Sequence, residues 1–173
     1  MDDERTVNLL GAVALGVVDA MNAAVEARAG YGGETPAALV TLGAEPGISI
    51  NTLRQILNLS HPGTVRLVDR LESQGLVERR AGADGRTLAL FLTDAGHERR
   101  SAILAARRQQ LHLAISSLTP TDRKQLTQLL EKMLTAMTTH ELRAFAICRL
   151  CEEDVCPGDR CPVEQKYCQL VNS

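Results

Sequence analysis

Aromatic side chains are nearly missing from this chain of 173 residues. It has no tryptophan, two tyrosines and two phenylalanines, and aromatics make up 2% of its residues. This scarcity excludes an aromatic core, so the core must consist of alanine and aliphatic side chains. Because Ala, Leu, Arg, Gln and Glu have the highest helix propensities, the composition favours a helical fold.

Cysteine is absent from the first 147 residues. All five cysteines lie within the last 26 residues, at positions 148, 151, 156, 161 and 168. Since no export signal precedes them, we expect reduced thiols rather than a framework of disulfides.

A basic leader is also missing. The apolar run at residues 9–18 follows an acidic segment, Met1 to Arg5, whereas a secretory signal begins with basic residues. Asp19 and Asn22 interrupt the run before it is long enough to span a bilayer. We therefore expect a buried helix in a cytoplasmic protein, with no membrane segment.

The chain has no overall excess of positive charge, since its net charge is −2. The charge is nevertheless unevenly distributed, with net values of −5 for residues 1–50, +2 for 51–100, +4 for 101–150 and −3 for 151–173. This distribution suits a phosphate-facing surface flanked by acidic parts.

The first half of the chain predicts helices. Residues 7–28 are apolar on nearly every side, which is typical of a helix buried on several sides, as in a dimer interface. A second helix is predicted from about Glu34 to Leu42, and a third over residues 50–57. A tight turn then leads to Ser60, a natural N-cap for a fourth helix over residues 61–74.

The pattern then changes from helical to extended. Residues 76–80 and 87–92 predict two strands joined by a hairpin, because Asp-Gly at positions 84 and 85 is a hairpin signal. Two long helices are expected to follow, from about 93 to 117 and from about 121 to 148. The predicted fold class is mainly α with a small β-hairpin wing.

This order of elements is a winged helix-turn-helix flanked by dimerisation helices. The predicted boundaries are residues 1–32 for an N-terminal dimerisation helix and 33–100 for the DNA-binding domain. Residues 101–147 are assigned to C-terminal dimerisation helices, and 148–173 to a cysteine-rich tail.

In such a motif the second helix enters the major groove of DNA through its N-terminal residues. If Val65, Val68 and Leu71 are buried, the opposite side of the helix is exposed. Thr64 and Arg66 could then reach base edges, and arginine suits guanine through its two-pronged guanidinium. Ser60 and the helix N-terminus could bind a phosphate. The candidate contacts on this helix are Ser60, His61, Thr64, Arg66 and Arg70.

The hairpin carries further candidates for DNA binding. Arg79, Arg80 and Arg86 lie on or beside a protruding loop, and the negative potential of a narrow minor groove attracts arginine. Asp84 is expected to pair with an arginine and stiffen the tip.

Residues 59–80 (LSHPGTVRLVDRLESQGLVERR) and 83–96 (ADGRTLALFLTDAG), followed by a long helix, closely resemble the MarR family of regulators, and the resemblance covers residues 5–147. It implies a homodimer with interlocking first and last helices. Such dimers bind pseudo-palindromic operators, usually as repressors. It also implies recognition-helix contacts by Ser60, Thr64 and Arg66, with Arg86 at the wing tip and Asp84 as its structural partner.

Two features depart from the family pattern. Pro62 and Gly63 occupy the first turns of the recognition helix, where the family more often has Ser or Thr, so the base-reading surface is expected to differ. The family's small-molecule pocket tends to be lined with aromatics, which are scarce here. The resemblance implies a small-molecule effector, and the scarcity of aromatics gives no ground for naming a phenolic one.

The cysteine-rich tail lies outside the resemblance. Four thiolates within 14 residues could converge on a tetrahedral zinc ion, held by Cys148, Cys151, Cys156 and Cys161. Cys168 is an alternative ligand if Cys148 belongs to the preceding helix. An all-cysteine set with Cys-Pro steps also suits an iron–sulfur cluster. The third alternative is a thiol redox switch without metal.

Together these features predict a sequence-specific transcriptional regulator of double-stranded DNA that acts as a repressor. Metal or redox state is expected to modulate it through the C-terminal cysteines. The alternative is a winged-helix protein-interaction module with a structural zinc site. An enzyme is not expected, because the Cys-x2-Cys pair lacks the strand-rich scaffold of redox enzymes and no acid–base or nucleophile constellation is apparent.

Overall fold

A computed structural model describes residues 2–82 and 88–172. Within these residues it is mostly helical with one antiparallel hairpin, which confirms the predicted fold class. The helices are α1 (Asp2–Ala29), α2 (Thr35–Ala44), α3 (Ile50–Leu57), α4 (His61–Ser73), α5 (Asp94–Ala114), α6 (Pro120–Met137), α7 (Glu141–Cys148) and α8 (Pro162–Val171), and the strands are β1 (Val77–Ala81) and β2 (Leu88–Leu92).

The core forms around α2, which contacts α3, β2 and α5. Leu39 and Leu42 of α2 are fully buried, and they belong to one aliphatic cluster with Leu53 of α3, Val68 of α4 and Ile103 of α5. Aromatic rings contribute only partly buried members to this cluster, as the composition indicates.

The long helix α1 confirms the helix predicted at the N-terminus but not its burial. It packs on α5, and over residues 3–29, where burial is described, only Val25 and Ala29 are buried. By length and composition alone, Asp3–Ala29 is long and apolar enough to cross a membrane, with a mean hydropathy of 1.5 over its most apolar stretch, so the expectation that this segment is too short to span a bilayer is not confirmed. Most of its apolar side chains are exposed in the single chain.

Local capping explains the helix-turn-helix. The Ser49 hydroxyl accepts a hydrogen bond from the Thr52 amide at 3.1 Å and begins α3. Asn58 ends that helix in the left-handed region, with φ of 53°, a conformation that asparagine tolerates better than most residues. Ser60 then caps α4, as predicted. The prediction of two short helices joined by a tight turn is therefore confirmed.

The wing is an antiparallel ladder in which Val77 pairs with Leu92 and Ala81 with Leu88. The other edge of β2 is also occupied, because the Leu90 amide donates to the Ile48 carbonyl at 3.0 Å. β1 begins one residue later than predicted. The predicted wing-tip residues Asp84 and Arg86 lie outside the described residues.

The C-terminal third differs from its prediction. In place of one helix over residues 121–148, α6 ends at Met137 and α7 begins at Glu141. The His140 side chain accepts a hydrogen bond from the Arg143 amide at 3.3 Å and caps α7. The tail also contains a regular helix, α8.

A close backbone approach joins the wing to α5. The Thr93 hydroxyl accepts a hydrogen bond from the Gly96 amide at 3.1 Å, while the Thr93 amide donates to the Leu76 carbonyl at 3.1 Å. A Cβ atom at Gly96 would overlap this same carbonyl oxygen. Only glycine therefore fits the first turn of α5 at this distance from the wing.

We predict that Gly96→Ala lowers the free energy of unfolding by about 1–3 kcal/mol, because the added methyl group must displace backbone. The measurement is chemical denaturation of the purified protein. His97→Ala, at the exposed neighbouring position, is the control and should leave stability nearly unchanged. Equal stability of the Gly96→Ala variant and the unmodified protein would contradict the proposed packing.

Candidate nucleic-acid interface and cysteine cavity

The N-terminal end of α4 is exposed and carries two of the predicted contacts, Ser60 and His61. The Ser60 hydroxyl accepts a hydrogen bond from the Gly63 amide at 3.2 Å, which leaves its own proton available for an anion. Pro62 has no backbone N–H, so the His61 amide is the remaining donor of the first turn. This end of the helix therefore has the groups to bind one phosphate oxygen.

Arg66 lies one turn further along α4 and is exposed. In the parts of the chain that the structure describes, it has no ion-pair partner. Its guanidinium is thus available for a ligand, as the sequence predicts.

Thr64 corrects the sequence prediction. It is fully buried, with an exposure of 0%, and its hydroxyl donates to the Ser60 carbonyl at 3.0 Å. The buried face of α4 consists of Thr64, Leu67, Val68 and Leu71, while Val65 is half-buried. Because Thr64 faces the core, it cannot present its hydroxyl to a base edge.

Arg70 is bound to the body of the domain. Its guanidinium donates to the Thr35 hydroxyl at 2.9 Å, and Thr35 is buried at the start of α2. Arg70 thus connects α4 to α2, and its assignment as a DNA contact stays a prediction.

Arg79 joins the wing to α4 by two ion pairs. Its guanidinium contacts Asp69 at 2.6 Å and also pairs with Glu72, one turn further on. These carboxylates offset its charge, so Arg79 has less capacity to attract phosphate than the sequence suggests. The arrangement fixes the wing relative to the recognition helix.

Arg80 is more exposed than Arg79. It pairs with Glu78 and lies over the ring of Phe91, 4.7 Å from the ring centroid. A cation over an aromatic face is restrained but still accessible. Arg86 and Asp84 lie outside the described residues, so their predicted roles at the tip stay predictions.

A cavity of about 380 Å³ lies between α2, α7 and α8. Cys148, at the end of α7, and Cys161, the N-cap of α8, both line it. Cys151 and Cys156, from the connecting loop, line it as well. The structure therefore brings together the four cysteines that the sequence assigns as ligands.

Within this cavity Cys148 neighbours Cys151, and Cys156 neighbours Cys161. The hydrogen bond that Cys148 makes to Cys151 raises the pKa of Cys148 and lowers that of Cys151 to about 6, and the charge of Arg107 also lowers the latter. Burial and a hydrogen bond with Cys161 raise the pKa of Cys156 to about 11. The Cys151 thiol is thus the most readily ionised of these three.

As they stand, the thiols do not form a complete metal site. Across residues 2–82 and 88–172, no group of three His, Cys, Asp or Glu side chains has the geometry to hold a metal ion. Cys168, the alternative ligand, is exposed and does not line the cavity. Its sulfur contacts the Glu164 carboxylate at 3.6 Å.

The sequence analysis missed one wall of the cavity. Thr41, Ala44 and Glu45 at the end of α2 line it, although about one hundred residues separate them from the cysteines. Burial raises the pKa of Glu45, and the charges of Glu153 and Glu164 raise it further. No local pattern could have revealed this wall, because it exists only through a long-range contact.

Comparison with known proteins agrees with this geometry. Residues 30–87 match a model described as MarR family. Over 107 residues the chain is 36% identical to the transcriptional repressor MprA of Escherichia coli strain K12, a match that covers 60% of this chain and 61% of the relative. The chain therefore spans about three fifths of the length of this curated relative.

Solved structures show the same fold. The YusO protein from Bacillus subtilis superposes with a TM-score of 0.66 at 21% identity, covering 79% of this chain and 99% of that one. A MarR family transcriptional regulator from Silicibacter pomeroyi gives a TM-score of 0.57 at 26% identity, covering 72% and 87% respectively.

We predict that Thr64→Val leaves DNA sequence preference unchanged, because this side chain faces the core. The lost hydrogen bond should reduce the free energy of unfolding by about 0.5–1.5 kcal/mol. Selection of preferred duplexes from a randomised library, with the variant and the unmodified protein side by side, checks the first statement. A change of preferred base at one position would show that Thr64 reaches the groove after all.

Proposed function

We propose that the protein is a homodimeric, cytoplasmic repressor that binds double-stranded DNA in a sequence-specific manner, and the match of residues 30–87 to a model described as MarR family supports this proposal. The observation that carries this proposal is the N-terminal end of α4. There Ser60, His61 and Arg66 are exposed together.

In this proposal α4 enters the major groove by its N-terminal end. Ser60 and the His61 amide hold a phosphate oxygen and set the depth of entry. Arg66 then reads a base edge, for which a guanine offers two acceptors. Pro62 and Gly63 leave the first turn without long side chains, so Arg66 carries most of the direct base recognition.

The wing contributes in a different way. Arg80 is the exposed guanidinium of β1 and approaches the sugar–phosphate backbone or the adjacent minor groove. Arg79 holds α4 and β1 at a fixed separation through Asp69 and Glu72. We therefore expect α4 and the wing to contact the duplex as one rigid unit.

The dimer interface is supported by the exposed apolar surface of α1. Val13 is 60% exposed and Leu15 is 69% exposed. A helix that exposes several large apolar side chains together is unusual in a monomer. A second copy of the chain would cover this surface, and α6 presents further exposed apolar residues. The exposed set is Val7, Leu9, Leu10, Val13, Leu15 and Val18 on α1, with Leu129, Leu130, Met133 and Met137 on α6.

A two-fold dimer places two copies of α4 on one face. Their target is then a pseudo-palindromic operator with half-sites about one helical turn apart. A small-molecule effector has room in a second cavity, of about 170 Å³, between α1, α2 and the start of the tail. Arg107, Arg149 and Glu34 line this cavity, and two guanidiniums against one carboxylate favour an anionic effector.

We predict that Arg66→Ala weakens discrimination at one operator position by about 1–3 kcal/mol, because it removes the proposed base contact. The measurement is a competition binding series with operator variants selected from a randomised library. Arg123→Ala is the matched control, since Arg123 is exposed on α6, away from α4. Binding of the unmodified protein should also weaken steeply with added salt, because neutralised phosphates release counterions.

No binding to any duplex at low ionic strength would contradict the proposed function. It would favour the alternative of a winged-helix protein-interaction module.

We predict that Val13→Glu converts the dimer to monomer and abolishes tight operator binding, because a carboxylate would be buried in the proposed interface. Light scattering coupled to size-exclusion chromatography measures the mass. Val155→Glu is the matched control, since Val155 is 68% exposed but lies in the tail. A Val13→Glu protein that remains dimeric would place the interface elsewhere.

A further inference from the structure

We propose that Cys148, Cys151, Cys156 and Cys161 together hold one thiophilic metal centre, which fixes the tail formed by α7, the following loop and α8 against the end of α2. The effect of this centre on DNA binding rests on the proposed function, whereas the centre itself does not.

The first support is convergence. The four thiols come from the end of α7, the loop and the N-cap of α8, yet they line a single cavity. The fifth cysteine, Cys168, lies outside that cavity. Four cysteine thiolates are a complete donor set for a tetrahedral zinc ion and also for an iron–sulfur cluster.

The second support is the weak core of the tail. Only Ala144, Cys161 and Val163 are buried in the cluster that joins α7 and α8. Helices of eight and ten residues gain little from so small a cluster, and their further apolar support comes from Phe145 and Leu150, which are only partly buried against the main core. A metal cross-link among the thiols would supply the missing stability, because the free energy of metal binding contributes directly to folding.

The geometry also indicates how the centre forms. All four thiols line the same cavity, but no three of these sulfurs have ligating geometry as they stand. Residues 149–161 form no helix or strand, but backbone hydrogen bonds close their turns, as between the Cys156 amide and the Glu152 carbonyl at 3.3 Å, so the centre would form by rearrangement of these turns. Metal binding should therefore draw the Cys156–Cys161 pair towards the Cys148–Cys151 pair.

The surrounding charges suit such a centre. Four thiolates around a divalent ion leave a net charge of about −2. Arg149 lines the same cavity, and the charge of Arg107 acts on Cys151. The carboxylates of Glu45, Glu153 and Glu164 add negative charge that attracts cations to the cavity, and the two guanidiniums offset part of the total.

The tail is connected to the DNA-reading unit. α7 packs on α3, the helix that precedes α4, and Phe145 packs against the main core. Arg108 of α5 pairs with Glu152 of the loop at 2.9 Å. Because Thr41 to Glu45 form the opposite wall, a change in the centre alters the support of α2 and α3. Occupancy should therefore change operator affinity.

The direct test is metal analysis of the full chain, purified without oxygen, together with its visible absorption spectrum. We expect either one zinc ion per chain and no colour, or iron with the absorption of an iron–sulfur cluster. Either result supports the thiolate centre and identifies its occupant. Two results together would overturn the proposal: the purified protein contains neither zinc nor iron, and added Co²⁺ produces no thiolate charge-transfer band.

Single variants test the ligand assignment. Cys151→Ser and Cys156→Ser should bind Co²⁺ on the order of 100-fold more weakly or not at all, since loss of a ligand costs at least as much as loss of its supporting partner. Cys168→Ser is the matched control and should bind as the unmodified protein does. Circular dichroism and dimer mass confirm that each variant is folded. Equal loss in the Cys168→Ser variant would contradict the assignment.

The coupling is tested by operator binding before and after removal of the metal with a chelator. We expect affinity to change at least about fivefold, the lower end of ordinary coupling between sites. Unchanged affinity would refute the coupling and leave the centre intact. A metal-loaded protein that binds no duplex would instead refute the proposed function.

Discussion

The packing of α4 on the core determines which of its side chains face solvent and where the wing lies relative to them. Thr64, Leu67, Val68 and Leu71 form one buried stripe, so the opposite side of the helix must face solvent. Burial of a threonine in that stripe is possible because its hydroxyl is satisfied by the Ser60 carbonyl. The same stripe orients Arg66 outwards, and the ion pairs of Arg79 align the wing with it. The proposed DNA surface therefore follows from packing.

Much of this arrangement could be predicted from local sequence, because local physics determines it. Ser60 and the turn before it define the start of α4 without reference to any distant residue. The sequence predicts that Val65 is buried on α4 and Thr64 exposed, because valine is more apolar than threonine. In the structure Thr64 is buried instead, and its hydrogen bond to the Ser60 carbonyl has no signal in the sequence. The break after α6 was missed for a similar reason. Thr138 is buried, and its hydroxyl donates a hydrogen bond to the Leu134 carbonyl at the end of α6. No glycine or proline stands at this position to indicate the end of a helix.

Long-range contacts explain what sequence reasoning could not provide. The spacing of the cysteines indicated a cluster, but not that the end of α2 would form its opposite wall. This placement connects two features that appear independent in the sequence, the cysteine-rich tail and the recognition helix. It makes the tail part of the scaffold of the DNA-reading unit, through α3 and the core contact of Phe145.

The most direct test of the central claim is hydrogen exchange of the dimer with and without its selected operator duplex. The account predicts slower exchange at residues 60–66 and along β1, where the helix end and wing meet the duplex. The cysteine loop should be less affected, because it lies away from the proposed interface. Protection confined to the tail or to α1, with residues 60–66 unchanged, would contradict the claim that the N-terminal end of α4 reads DNA.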